Sequence, residues 1–188
     1  MKTPAEKFGG GPIVIAEYNS AWPMMFERER GAVREALGKL VLEIEHIGST
    51  AIPGLPAKPI IDLLVGIRSL TEARSRAVEP LVQLGYVYIP EYEPWLPDEL
   101  FFRKGVPGPW THHVHVMEPG NPRWDDHLRF RDYLRMHPAT AAAYAELKKT
   151  LAQRFRENIG AYRDAKDNFV RDVLARARAA DNGATTRP

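Results

Sequence analysis

The spacing of apolar residues predicts alternating strands and helices over the first half of the chain. Apolar runs at 13–18, 40–48 and 59–67 predict strands, and the last run is almost continuously apolar, which is typical of a central strand covered on both faces. Helical spacing predicts helices over 20–38 and 69–85. Pro80 predicts a kink or a break in the second helix, because proline lacks the N–H that a helix interior needs.

The second half is predicted to form more strands and then only helices. The predicted strands are 86–95, 99–105 and 111–118, and the last two are expected to pair as a hairpin. The predicted helices are 122–136, 138–156 and 159–179. This order favours an α/β (α+β) fold, with a mixed sheet flanked by helices and a C-terminal helical segment. We expect a flexible arm at 1–12, a single domain over 13–179 and a disordered tail at 180–188.

Composition narrows the classes of function. The chain has 188 residues, a formal net charge of +2 and no cysteine. This length suits one hydrophobic core, and the small charge makes no strong case for nucleic acid, while an anionic ligand remains open. The lack of cysteine excludes disulfides and thiolate metal sites. No apolar run has the length of a membrane span and no signal peptide is recognisable, so we expect a cytoplasmic protein without membrane partners.

The segment "GSTAIPGLPAKP", residues 48–59, joins two predicted strands and carries candidate phosphate ligands. Gly48 allows close approach of the backbone, and the hydroxyl groups of Ser49 and Thr50 with nearby amides can form a concavity for phosphate oxygens. Lys58 would add a positive charge. The alternative is a structural turn in which the hydroxyls bind local backbone groups.

Asp62 lies on the apolar strand that follows, where an ionised carboxylate needs a partner. Lys58 is one candidate, as a structural ion pair. In "THHVHV", strand alternation places His113 and His115 on one face, where two imidazoles can converge on a divalent metal with a carboxylate from a neighbouring strand. The alternative is that both histidines face solvent or are satisfied in the core.

Three blocks of sequence resemble the GrpB family (UPF0157), an uncharacterised family placed in the nucleotidyltransferase superfamily. They are "EHIGSTAIPGLPAKPIIDLLVG", "THHVHV" and "LRFRDYLRMHPATAAAYAELKKTLA" with the "YRDAKDNFV" that follows it, and the resemblance covers about residues 12 to 175. The superfamily implies a mixed sheet, a Gly-Ser turn (Gly48 and Ser49) that cradles a nucleotide triphosphate, and Mg²⁺ on strand carboxylates, of which Asp62 would be the first. Leu64 stands at the second acidic position, which departs from that pattern.

The resemblance also implies activities and partners. The superfamily transfers nucleotidyl groups with metal ions, whereas His113 and His115 would suit Zn²⁺, Mn²⁺ or Ni²⁺ better than Mg²⁺. Some members of the family are fused to dephospho-CoA kinase, where the domain is thought to assist folding of the kinase.

The helical half adds three candidate ligands of phosphate. Lys166 interrupts an apolar helical stripe that includes Tyr162. One interpretation is that both side chains reach the phosphate of a ligand. The alternative is a structural one, in which Lys166 extends its ammonium group to the surface. Arg131 lies near an apolar side of its helix and is expected to bind a buried carboxylate or a phosphate. His46 is expected to be a core histidine.

Three functions therefore remain open from the sequence. The first is a metal-dependent nucleotidyltransferase with Asp62 as the catalytic carboxylate. The second is a non-catalytic domain that binds a nucleotide or another phosphorylated ligand on the same scaffold. The third is a folding or interaction partner of another protein, such as a CoA-pathway kinase.

Overall fold

The structure is a computed structural model that describes residues 12–105 and 110–185, with the backbone alone at 182–185. It contains one five-stranded mixed sheet, with helices packed on it. The strands are β1 (Val41–Ile47), β2 (Ile61–Ile67), β3 (Tyr86–Tyr88), β4 (Leu100–Gly105) and β5 (Trp110–Met117). The helices are α1 (Trp22–Leu37), α2 (Leu70–Arg76), α3 (Val78–Gln83), α4 (Pro122–Met136), α5 (Pro138–Arg154), α6 (Ile159–Asp164) and α7 (Asp167–Thr185).

The order of strands in the sheet is β1-β2-β5-β4-β3, and only the β2–β5 pair is parallel. The predicted central position of β2 and the predicted β4–β5 antiparallel pair are therefore confirmed. The register of β2 and β5 sets Asp62 beside His113 and Leu64 beside His115. Since residues opposite each other share a face of the sheet, these four side chains lie on the same side.

One face of the sheet is buried under α1, α2 and α3. Its core contains Ile61, Leu63 and Val65 from β2 together with Val114 and Val116 from β5, all of them inaccessible to solvent. This alternation leaves Asp62, His113 and His115 on the opposite face. Burial of so much apolar surface is the main stabilising contribution to the fold, so the position of the polar face is fixed by the packing of the apolar one.

The predicted strand 13–18 is wrong, and the predicted strand 86–95 is correct only as far as Tyr88. Residues 13–18 form no strand, since a single bridge joins Ala16 to Ala57, and Ile13 instead packs against Leu151 and neighbouring residues of the C-terminal helices. The apolar pattern there reflects packing on helices rather than pairing in the sheet. The predicted strand 86–95 ends at Tyr88, because a 3₁₀ turn begins at Pro90, which cannot donate to a strand ladder.

The helices agree with the prediction near Pro80 and depart from it after residue 159. The break near Pro80 is confirmed, with α2 ending at Arg76 and α3 beginning at Val78. The predicted helix 159–179 consists of two helices, α6 and α7. Helix α7 continues to Thr185, within the segment predicted to be a disordered tail, whereas 1–11, 106–109 and 186–188 lie outside the described residues. In the described part of the chain, no helix is both long and apolar enough to cross a bilayer.

Candidate functional site

A cavity of about 810 Å³ opens on the polar face of the sheet, between the strands and the C-terminal helices. Its walls come from β2, β4, β5, the 48–60 turn and helices α5 and α6. The predicted ligands that it brings together are Gly48, Ser49, Lys58, Asp62, His113, His115, Tyr162 and Lys166. The size is within the ordinary range for small-molecule sites.

Asp62, His113 and His115 form the floor of the cavity. Nδ1 of His113 lies 2.9 Å from Oδ1 of Asp62, and Nε2 of His115 lies 3.9 Å from the same oxygen. One ligand atom from each residue lies within 4.8 Å of the others, which is close enough for all three to hold one metal ion. Burial opposes ionisation of Asp62, but the hydrogen bond from His113 and the electrostatic attraction of the nearby His115 prevail and hold its pKa below the ordinary value.

The state of His113 fits a metal ligand. Because an ionised carboxylate only accepts hydrogen bonds, Nδ1 of His113 carries the proton in its bond to Asp62, and Nε2 keeps a free lone pair. Nε2 is buried and has no hydrogen-bond partner among the described residues. Burial lowers the pKa of His113 to about 4, although Asp62 raises it, so the ring is neutral at pH 7. A neutral imidazole with a buried, unpaired nitrogen is suited to a metal.

Glu99 positions His115 from behind, and the sequence did not reveal it. Its Oε1 accepts from Nδ1 of His115 at 2.5 Å, and its Oε2 accepts from Arg123 at 3.0 Å. Glu99 is 1% exposed, and its pairing with His115 outweighs burial and lowers its pKa. The bond from His115 to Glu99 leaves Nε2 directed at Asp62, as is common for metal-binding histidines held by a second carboxylate.

Gly48 allows the turn to pass directly over Asp62. Its φ of +70° is in the left-handed region, and a Cβ at this position would lie 2.2 Å from Oδ2 of Asp62. The prediction that Gly48 allows a close approach therefore has a specific partner, the candidate metal ligand itself. Any side chain at this position would displace that carboxylate.

Three lysines line the opposite wall of the cavity, namely Lys58, Lys148 and Lys166. Burial and the charges of the other two lysines lower the pKa of Lys148 to about 7, and burial together with Lys58 lowers that of Lys166 to about 8. Burial also lowers the pKa of Lys58, against the attraction of Asp62. The three lysines therefore concentrate positive charge in a partly desolvated space, although Asp164 and Asp167 also line the cavity near Lys166.

Two predicted phosphate ligands lie outside the cavity lining. Thr50 is 1% exposed, and its Oγ1 lies 3.1 Å from Nε2 of His46 and donates to the Ile60 carbonyl at 3.0 Å. Its hydroxyl thus takes the local structural role that the sequence left open. His46 is buried and stacks on Phe26, as expected for a core histidine.

Arg131 binds carboxylates rather than lining the cavity. Its guanidinium donates to Glu45 at 2.7 Å, to Asp132 at 2.7 Å and to the carbonyl of His46 at 3.1 Å. Of the two partners that the sequence allowed, a carboxylate or a phosphate, the structure shows the carboxylate.

Leu64 is fully buried in an apolar cluster with Ile47, Met117 and Trp124. The position at which a nucleotidyltransferase would carry its second carboxylate therefore belongs to the packing between the sheet and α4. The polar floor of the cavity therefore consists of Asp62, at the first acidic position of β2, and of the imidazoles of His113 and His115.

The sheet, its flanking helices and this cavity define a mixed α/β protein with a candidate metal centre beside a cationic wall. The chain belongs to the GrpB family, since the family described as "GrpB protein" matches residues 12–176. The fold is also that of the crystal structure of GrpB from Enterococcus faecalis, which is 39% identical with a TM-score of 0.79 and covers 87% of this chain and 96% of that one. The family resemblance and the mixed α/β fold predicted from the sequence are thus confirmed.

Several named proteins of other bacteria are similar to this chain. The chain is 44% identical over 172 residues to UPF0157 protein PA4798 of Pseudomonas aeruginosa, covering 89% of this chain and 69% of that protein. It is 40% identical over 166 residues to UPF0157 protein YqkA of Bacillus subtilis, covering 88% of this chain but 47% of YqkA. A dephospho-CoA kinase of Mycolicibacterium paratuberculosis is 30% identical over 189 aligned positions, 88% of this chain and 46% of that enzyme. The chain therefore spans about half the length of some of its relatives.

Proposed function

We propose that this protein binds a phosphorylated small molecule of the nucleotide class together with one divalent metal ion. The observation that carries the proposal is the convergence of Asp62, His113 and His115 on the floor of a cavity whose facing wall is cationic. A metal ion on the floor and the lysines on the facing wall would place positive charge on both sides of an anionic ligand.

The donor set favours particular metals. Two imidazole nitrogens and one carboxylate suit Zn²⁺ or Mn²⁺ better than Mg²⁺, which prefers oxygen ligands. Asp62, His113 and His115 would hold the ion, and Glu99 would orient His115. A bound ion would supply charge that neutralises phosphate oxygens.

Aromatic side chains support a ligand with a planar ring. Tyr92, Trp95 and Phe101 line the cavity beside the strands, and Trp95 is 68% exposed. Tyr92 and Phe101 are buried, so the exposed ring of Trp95 is the one that would stack on a nucleobase, while the lysines would receive the phosphates.

Nucleotidyl transfer to an acceptor is the finer part of this proposal. The family resemblance supports it, and Asp62 would be its catalytic carboxylate. Leu64 argues for a single metal ion rather than two, because no carboxylate stands at the second position of β2. The test is release of pyrophosphate from nucleoside triphosphates with Mn²⁺, which Asp62→Asn should abolish.

The first experiment is calorimetric titration of the chelator-treated protein with Mn²⁺, Zn²⁺ and Mg²⁺. Asp62→Asn and His115→Gln are expected to weaken Mn²⁺ or Zn²⁺ by about tenfold to a hundredfold or more. His112→Gln is the matched control, because His112 is on the same strand but on the opposite face, 3.9 Å from Glu29. Equal metal affinity in the wild type and Asp62→Asn would refute the metal site.

The second experiment addresses the ligand. Nucleoside triphosphates should raise the unfolding midpoint of the wild type in the presence of the preferred metal, since a ligand that binds only the folded state stabilises it. The metal-dependent part of this shift should disappear in Asp62→Asn. The absence of any shift with every nucleotide and metal would refute nucleotide binding.

A second candidate function is association with a dephospho-CoA kinase. Its support is the similarity of 88% of this chain to about half of the Mycolicibacterium paratuberculosis kinase. A stand-alone dephospho-CoA kinase co-expressed with this chain should then co-elute in size-exclusion chromatography, with or without Asp62→Asn. Separate elution at micromolar concentrations of both proteins would count against this role.

A further inference from the structure

We propose that Lys58, Lys148 and Lys166 form an anion subsite distinct from the metal cluster, and that this subsite takes a second phosphate group. The ligand would then carry a diphosphate or a longer phosphate chain. This inference deepens the proposed function and rests on it for the identity of the ligand, but the subsite itself can be tested without metal.

The three lysines come from separate elements and meet at two tyrosine rings. Nζ of Lys58 lies 6.0 Å from the centroid of the Tyr162 ring, and Nζ of Lys166 lies 4.6 Å from the same centroid. Nζ of Lys148, from α5, lies 4.8 Å from the centroid of the Tyr144 ring. Long-range packing of the 48–60 turn, α5 and the α6–α7 junction thus gathers three positive charges in one cavity.

None of these three ammonium groups has a carboxylate within 4.0 Å in the described part of the chain. Lys148 is the extreme case, since it is 2% exposed and its only hydrogen bond within the described residues is the one it donates to the carbonyl of Pro56. A buried cation without a counter-charge is costly, and neighbouring cations add to that cost. The lowered pKa values of Lys148 and Lys166 follow from this burial and repulsion.

Lys149, the next residue on α5, shows the contacts of a lysine that pairs with carboxylates at the protein surface. Nζ of Lys149 lies 3.5 Å from Glu17 and 3.5 Å from Glu146, and all three side chains are well exposed. Lys148 cannot reach solvent in this way, so extension to the surface does not explain it. Asp62 attracts Lys58 and Lys166 from beyond ion-pair distance, and Asp167 also attracts Lys166, but the charges that act on Lys148 are those of the other two lysines. A polyanion would provide the counter-charge that Lys148 lacks.

The separation of the three lysines from the metal cluster indicates that the ligand carries more than one phosphate group. A metal ion on Asp62, His113 and His115 would engage one phosphate group at the sheet. The three lysines belong to the turn and the helices, and a single phosphate on the metal would leave them uncompensated. A diphosphate places negative charge at both places, whereas a monophosphate serves only one.

The experiment is calorimetric titration of the full chain with inorganic pyrophosphate in excess EDTA. The wild type should bind pyrophosphate without metal, and Lys148→Met should weaken it about tenfold or more, because a buried charge partner is lost. Lys149→Met is the matched control and should change affinity by less than about twofold, as expected for an exposed charge. Failure of the wild type to bind, or equal losses in the two variants, would overturn the subsite.

A stability measurement distinguishes a binding role from a structural one. Lys148→Met should unfold at a higher temperature than the wild type in buffer free of anions, because the variant removes an uncompensated buried charge. It should also gain a smaller shift from pyrophosphate. A lower unfolding temperature without anion would mean that Lys148 stabilises the fold, contrary to the proposal.

The subsite and the metal proposal fail in different experiments. Loss of pyrophosphate binding in EDTA with normal Mn²⁺ binding by Asp62, His113 and His115 would overturn the lysine subsite alone. Pyrophosphate binding that depends on Lys148, in a protein that binds no divalent metal, would support the subsite and refute the metal site.

Discussion

Replacement of Gly48 by alanine tests the contact between the turn and the candidate metal ligand. The backbone of Gly48 has a φ of +70°, and the added Cβ would lie 2.2 Å from Oδ2 of Asp62. Ordinary contact begins at 3.4 Å, so the carboxylate or the turn must move by more than an ångström. Movement of Asp62 would break its hydrogen bond to His113.

The expected loss of stability in Gly48→Ala has two parts. A left-handed backbone conformation costs an alanine about 1–2 kcal/mol. Loss of a hydrogen bond to an ionised group costs about 1.5–3 kcal/mol more. Gly48→Ala should therefore lower the free energy of unfolding by about 2.5–5 kcal/mol and weaken metal binding at Asp62.

Gly54→Ala is a matched control for the backbone part. Gly54 has a φ of +75°, and a Cβ there would meet no atom within 4 Å. Its expected cost is only the first part, about 1–2 kcal/mol. Urea unfolding followed by fluorescence of the four tryptophans measures both variants.

A double variant isolates the contact itself. In the Asp62→Ala background the clashing carboxylate is gone, so the cost of Gly48→Ala should fall close to that of Gly54→Ala. Equal costs for Gly48→Ala and Gly54→Ala in the wild-type background would refute the proposed contact. So would a Gly48→Ala protein that binds Mn²⁺ as tightly as the wild type.

Two further changes test buried ionisable groups. Glu99→Gln should destabilise the protein by about 3 kcal/mol in urea unfolding, because it leaves His115 and Arg123 without their buried counter-charge, and unchanged Mn²⁺ affinity would argue against its positioning role. Burial and nearby arginines lower the pKa of His46 to about 4, against the opposing effect of Asp62, so its neutral form is favoured by folding. Its contribution is intact above pH 6.5 and is lost as the pH falls towards 4, about 2 kcal/mol between pH 7 and 4.5. That component should be missing in His46→Gln, and parallel pH profiles of the two proteins would contradict it.

Local patterns were sufficient for the floor of the cavity. The continuous apolar run of β2 made Asp62 conspicuous, and period-two alternation placed His113 and His115 on one face. Their proximity to Asp62 required the parallel pairing of β2 with β5, which connects residues about fifty positions apart. From the sequence alone, a metal site could be predicted only on the condition that Asp62 lies beside the two histidines, and the strand pairing that brings them together could not be shown.

Glu99 and Lys148 illustrate what local patterns miss. Glu99 stands directly before an apolar strand, as many exposed residues do, and it reaches His115 only because β4 pairs with β5. Lys148 lies next to Lys149 on a helix whose pattern does not distinguish the two. Their difference in burial comes from where the 48–60 turn packs against α5, since the Pro56 carbonyl receives the Lys148 hydrogen bond.

The distribution of charge around the cavity favours a ligand-binding role among the open functions. A folding module would need no buried lysine without a counter-charge, and a two-metal enzyme would need a carboxylate where Leu64 packs in the apolar cluster. In the proposed complex, a single metal ion on the sheet and the three lysines on the turn and the helices would neutralise an anion from two sides of one cavity. Ligand binding would then also stabilise the protein, because each phosphate would relieve repulsion that the folded chain carries on its own. Under the proposal, this linkage would account for the arrangement, because the charges that weaken the free protein would strengthen its complex with a polyanion.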